Sequence, residues 1–157
     1  MTLDAKRRLL LMNGVFLFLL GLLIGFLTDF GVLANNRMGL ASHLEGILNG
    51  TFLMVLGLMW AHVDLPPLAD GAARWLPMFG AYLNWILAAF AAVFGRGRES
   101  FIHPADRAWF PLEHFLVELG LAVLSVGFVT CCALVLWGLR RGAQASKSGA
   151  APGGRQV

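Results

Sequence analysis

Apolar residues fall along this chain in four long runs, and the charges are swept into the stretches between them. The runs cover residues 9–27, 42–61, 75–94 and 115–139. The first is interrupted only by Asn13 and glycines, the third has Asn84 as its one strongly polar group, and the fourth has Glu118 as its one charge. The second carries His43, Glu45 and Asn49 close to its start. At roughly 1.5 Å per helical residue, runs of this length cross a hydrocarbon core about 30 Å thick. Backbone groups in lipid have no water to bond, so each run must pair its own N–H and C=O groups and reads as a helix. The pattern predicts an all-α, integral-membrane four-helix bundle over residues 1–141. Residues 142–157, rich in Gly, Ser, Ala and Pro, read as a disordered tail.

Composition sharpens this. Hydrophobic residues make up 58% of the chain and charged residues 13%, with a mean hydropathy of +0.72. A soluble domain carries about 25% charged residues, so the soluble classes are excluded. The first run is longer than the roughly 7–15 residues of a signal-peptide core, and is expected to remain as a span. With the N-terminus inside, the cytoplasmic side holds Lys6, Arg7, Arg8, Arg74, Arg140, Arg141, Lys147 and Arg155, against Arg37, Arg96, Arg98 and Arg107 opposite. That imbalance predicts both termini in the cytoplasm. The pI near 9.4 belongs to these flanks. No basic–aromatic cluster stands outside the spans, so no nucleic-acid partner is expected. Cys131 and Cys132 are adjacent in mid-span without metal-ligand spacing, and are expected to pack helices.

Polar residues at membrane depth are functional candidates, because their cost must be offset by something. Here they are Asn13, His43, Glu45, Asn49, Asn84 and Glu118, with Glu113 and His114 at the mouth of the fourth run and His62 beside Asp64 at the far end of the second. Helical spacing sets Ser42, Glu45 and Asn49 on one face, and His43 about 100° round from Ser42. Gly46 and Gly50 make a small-xxx-small step that admits a flat group or another backbone. An imidazole beside glycines in an apolar bundle suits a haem ligand. A bis-histidine carrier would draw its second ligand from His114. Structural zinc is disfavoured, since the cysteines and grouped histidines it uses are missing. Glu45 and Glu118 are expected to pair with Arg37, Arg96, Arg98 and Arg107; as titrating groups they would instead suit a proton conductor without a cofactor.

The segment "ASHLEGILNG", followed in the third run by "YLNW", resembles the styrene oxide isomerase family. In that family a histidine precedes Asn-Gly by six residues, and the third helix carries a further asparagine. The resemblance implies a homotrimer in a bacterial cytoplasmic membrane that holds ferric haem b at its subunit interfaces. His43 would be the axial ligand, with Gly46 and Gly50 leaving room for the macrocycle. The iron would act as a Lewis acid on the oxygen of a small apolar epoxide. Asn49 and Asn84 would be the catalytic amides, and Asn49 would hydrogen-bond that oxygen. Opening to a benzylic cation and a 1,2-hydride shift would give an aldehyde. The family's tyrosine one turn after the third-helix asparagine falls on Ala88, which predicts a more open pocket. A membrane haem protein for electron transfer or gas sensing is the alternative.

Overall fold

The computed structural model describes residues 1–94 and 111–149, with the side chains of all of these but 111–118, 121 and 145–149. The described residues form four α-helices: α1 (Leu3–Asp29), α2 (Asn36–Met59, continued by a single 3-10 turn, Trp60–His62), α3 (Pro67–Val93) and α4 (Pro111–Gly149). Each contains a segment long and apolar enough to cross a membrane. This is the all-α membrane bundle expected from the pattern.

The helices start before the apolar runs because local chemistry caps them there. The Thr2 hydroxyl accepts from the Ala5 N–H at 3.3 Å, and the Asn35 side-chain oxygen Oδ1 accepts from the Met38 N–H at 3.2 Å. Pro66-Pro67 opens α3, where a missing N–H costs nothing. At the other end the tail boundary needs correcting. α4 continues from Gly142 to Gly149, so the first tail residues extend the helix. Ala and Ser in that stretch tolerate helix once a preceding span has nucleated it.

The tightest packing lies between α1 and α2. A Cβ placed on Gly14 would lie 2.7 Å from the Gly50 carbonyl oxygen, and one on Gly46 would lie 2.5 Å from the Gly21 Cα. These paired glycines let two backbones touch, which is how helices gain dispersion energy where lipid removes the hydrophobic incentive to associate. Leu10, Leu17, Leu53, Trp60, Ala73, Ala81 and Cys131 build the main core. Met38, Ala88 and Ala92 form a smaller one near the α1–α2 turn. Phe26, Leu48, Phe79 and Phe90 are more than half exposed, as a lipid-facing surface requires.

Two polar arrangements tie the helices together. Asp70 is 7% exposed and lies 2.9 Å from both Lys6 Nζ and Arg74 Nη2, while Trp60 Nε1 donates to its other oxygen at 3.3 Å. A buried carboxylate is tolerable only when paired in this way, and the cluster joins the first turn of α1, the end of α2 and the start of α3. The second arrangement concerns Pro77, which lies inside α3 and is fully buried. Proline has no N–H, so the Ala73 carbonyl four residues back loses its helical donor. Cys131 Sγ stands 3.2 Å from that carbonyl and donates to it. Cys131 thus packs as expected and also closes a hydrogen bond that α3 cannot make for itself.

Cys131→Val should therefore lower stability by about 1 kcal/mol, and Cys131→Ser should retain most of it, as read by unfolding of the detergent-solubilised protein. Gly50→Leu should be far more damaging in the same measurement, because the atoms a side chain would meet there are α1 backbone.

Candidate functional site

His43 sits on the first half of α2, over α1. Its Nδ1 is 2.8 Å from the Gly21 carbonyl oxygen, and a Cβ on Gly25 would collide with that same nitrogen. The carbonyl can only accept, so Nδ1 carries the proton and Nε2 keeps the free lone pair. His43 also lines a cavity of about 240 Å³ with Leu22, Gly25, Phe26, Thr28, Asp29 and Leu40. An imidazole oriented by a backbone carbonyl through one nitrogen, with the other left to an apolar cavity, is the usual arrangement of a metal-bound histidine. Gly21 and Gly25, which make this possible, were not singled out from the sequence. Their four-residue spacing is the same signal that marked Gly46 and Gly50.

Gly46 and Gly50 themselves need correcting. They were expected to leave room for a macrocycle, but the positions a Cβ would take there are filled by the backbone of Gly21, Gly14 and Phe18. Both serve the α1–α2 contact, and the room beside the imidazole comes from Gly25.

Asn49 lies on another side of α2. Six residues from His43 is about 120° round the helix, and Asn49 shares its face with Ser42 and Glu45. That face looks toward α3 and α4. Phe52, one turn beyond Asn49, meets Phe128 of α4 with ring centroids 5.6 Å apart. On α3, Gly80 packs against the same Phe128, and Asn84 follows one turn later. Trp85 reaches α2 at Gly46, where its Cδ1 would be 3.1 Å from an added Cβ. The register thus brings Glu45, Asn49, Asn84 and Trp85 to one level of the bundle. Asn84 is half-buried there.

This level is notable for what its polar atoms do not do. Ser42 Oγ, Glu45 Oε2, Asn49 Nδ2 and Trp85 Nε1 are buried and have no hydrogen-bond partner. Leaving a buried donor or acceptor unpaired costs about 1–3 kcal/mol. Arg7 Nε, near the start of α1, is likewise unpaired, while other polar groups of the spans avoid the cost: Asn13 donates to the Leu9 carbonyl at 2.8 Å, and Tyr82 donates to the Asn13 carbonyl at 3.1 Å. Of the arginines expected to pair with Glu45, only Arg37 lies among the described residues, and no ion pair joins the two. Glu45 Oε2 is turned into the bundle, while Arg37 is exposed near the start of α2. Glu113, His114, Glu118, Arg96, Arg98 and Arg107 lie outside the described residues or side chains. Ala88 does not open a pocket within the chain, because it is 5% exposed and buried with Met38 and Ala92.

The residues present fit a haem at His43. Among the described residues no three His, Cys, Asp or Glu groups gather to hold a metal ion. If haem binds here, the free Nε2 of His43 would be the atom that holds its iron. The cavity is smaller than a whole macrocycle, so one wall would come from outside this chain. The proton assignment is open to test: His43 ¹⁵N shifts should report a protonated Nδ1 and an unprotonated Nε2. Gly25→Ala, which pushes on the ring, should mix the two tautomers.

Comparison with known proteins identifies the family. The family model described as styrene oxide isomerase matches residues 6–140. A hydroxylaminobenzene mutase, HabB, of Ectopseudomonas oleovorans is 44% identical over 134 residues, covering 85% of this chain and 80% of the relative. Its counterpart HabA from the same organism is 42% identical over 87 residues, covering 55% of this chain and 63% of the relative. No solved structure matches. The matched span runs from the Lys6 anchor of α1 to the end of the apolar part of α4 and takes in both the His43 cradle and the level of unpaired polar atoms, and on that evidence the chain is a multi-pass membrane isomerase belonging to the styrene oxide isomerase family.

Proposed function

We propose that the protein rearranges a small aryl substrate by heterolysis of a bond to oxygen, with ferric haem b held through His43 at a boundary between copies of the chain. The observation that carries this reading is the His43 imidazole, fixed by Gly21 and Gly25 so that Nε2 remains free. When bound, ferric haem would supply an electron-pair acceptor for the substrate oxygen.

The chain's own residues do the rest. Asn49 Nδ2 has no partner within the bundle and donates to the substrate oxygen as negative charge develops on it. Asn84, on α3, would hold the substrate against Asn49. For an aryl epoxide, C–O cleavage leaves a benzylic cation; hydride then moves from the neighbouring carbon with its electron pair, and an aldehyde forms. This is the Meinwald rearrangement that takes styrene oxide to phenylacetaldehyde. Nothing is oxidised or reduced overall. Phe52, Phe128 and the surrounding lipid keep water from trapping the cation as a diol.

His43 and Asn49 face different sides of α2, so one copy offers an imidazole half-site and an amide half-site pointing apart. A homotrimer in which the neighbouring copy supplies the missing wall of the His43 cavity would complete the haem site. A second substrate class is favoured by the relatives, whose name is hydroxylaminobenzene mutase. An arylhydroxylamine also breaks a bond to oxygen at a centre that an aryl ring stabilises.

His43→Ala should purify without stoichiometric haem, as read from the Soret band. Asn49→Ala should keep haem and lose about 10²–10³ in rate on whichever substrate class the wild type converts, since one donor to a developing oxyanion is removed. Native mass spectrometry should find three copies together. Haem retention in His43→Ala, or a wild type that binds haem yet converts neither aryl epoxides nor hydroxylaminobenzene, would sink the reading in favour of electron transfer or gas sensing.

A further inference from the structure

Resting on the rearrangement just described, we propose that the indole N–H of Trp85 is a second protein donor to the substrate oxygen, completing a two-donor site with Asn49. Trp85 lies on α3 and packs, partly buried, against the main core. Its Nε1 is buried and has no hydrogen-bond partner. An indole nitrogen can only donate, so the missing partner is an acceptor. The other indoles of the described residues carry no such debt. Trp60 Nε1 donates to Asp70 at 3.3 Å, and Trp75 and Trp137 are exposed. Trp85 is thus the one indole among the described residues held inside the bundle with its donor unused.

Position as well as burial ties that donor to Asn49. A Cβ added at Gly46 would lie 3.1 Å from Trp85 Cδ1, the ring atom bonded to Nε1. The indole therefore rests on α2 at Gly46. Asn49 stands three residues further along α2, about 60° round the helix. Helical side chains lean toward the N-terminus of their helix, so the Asn49 amide is carried back toward Gly46 and the indole edge. Its Nδ2 is the other buried nitrogen of this level without a partner. Two donors cannot satisfy each other, and both lack an acceptor. Ser42 Oγ, one turn before Gly46, is unpaired as well, so the chain has not used the nearest hydroxyl to close off the indole. The oxygen of an epoxide or a hydroxyl group has two lone pairs, and gains a third when its bond to carbon or nitrogen breaks. A second donor is therefore worth most in the transition state, which places its effect on kcat more than on KM.

The test compares Trp85→Phe with wild-type protein, both carrying haem. Phenylalanine keeps an aromatic ring against Gly46 and lacks the N–H. On whichever substrate class the wild type converts, kcat should fall by about 10²-fold, with KM within about threefold and the Soret band unchanged. A second measurement needs no substitution in the protein that is read. With ¹⁵N-labelled indoles, the Trp85 signal, identified by its loss in Trp85→Phe, should move downfield when acetophenone is added. Acetophenone is an aryl ligand whose oxygen can only accept. Ethylbenzene, of similar shape without the oxygen, should leave the signal in place. An indole signal unmoved by acetophenone at concentrations that inhibit turnover, or moved equally by ethylbenzene, would overturn the assignment and leave the rearrangement standing. So would a Trp85→Phe with wild-type kcat, or with a loss carried wholly by KM. A wild type inactive on both aryl epoxides and hydroxylaminobenzene would instead remove the rearrangement itself.

Discussion

The glycine seam between α1 and α2 is the contact on which the rest of the molecule depends. Lipid offers helices no hydrophobic reason to associate, so the two backbones must come close enough for dispersion to hold them. Gly14 against Gly50 and Gly21 against Gly46 allow that approach, and both contacts involve backbone atoms that cannot swing aside. The seam also sets the register of the hairpin. With Gly21 held against Gly46, its carbonyl lies within reach of the His43 ring three residues earlier on α2, and Gly25 falls under the ring one turn on. The packing of the first two spans and the orientation of the imidazole are thus one feature.

Polar groups inside the spans divide by how they are satisfied. Asn13, Thr28 and Thr51 each donate to the carbonyl four residues back and are closed within their own helix. Tyr82, Cys131 and Trp60 reach another segment, where each fills a need: a carbonyl of α1, the carbonyl freed by Pro77, and the Asp70 carboxylate. Glu45, Asn49 and Trp85 do neither, and they cluster at one level. Apart from Arg7 Nε near the start of α1, the unpaired buried side-chain atoms of the described residues gather at this level. Preorganised donors and acceptors waiting for a reacting oxygen have that property, because their partner arrives with the substrate.

Rigidity and openness are correspondingly placed at opposite ends. The Asp70 cluster and the large side chains of the main core lock the end of the bundle where α1 begins. Around Met38, Ala88 and Ala92 the core is smaller, and α3 contributes only alanines to it. This is the end that holds His43 and the unpaired atoms. The fixed end gives the helices a common frame, and the slimmer end leaves room for a bound group.

The hydrophobic pattern by itself determined the number and kind of elements, since runs long enough to cross a bilayer have helix as their only satisfied backbone. It also picked out His43, Glu45, Asn49 and Asn84, because ionisable and amide groups at that depth are rare enough to stand out one residue at a time. Only the tertiary structure decided which glycines face what. Gly46 and Gly50 carry the same spacing as Gly21 and Gly25, and nothing in a small-xxx-small step says whether a backbone, a ring or a ligand will fill it. Helix phase likewise separated His43 from Asn49, while the packing of the Asn49 face against α3 and α4 waited on helix register. The tail from Gly142 read as coil by composition, yet it continues as helix as far as Gly149, because a span already formed supplies the nucleus that those residues could not. Local spacing specifies a face; what lies opposite that face is set by the packing of segments far apart in the chain.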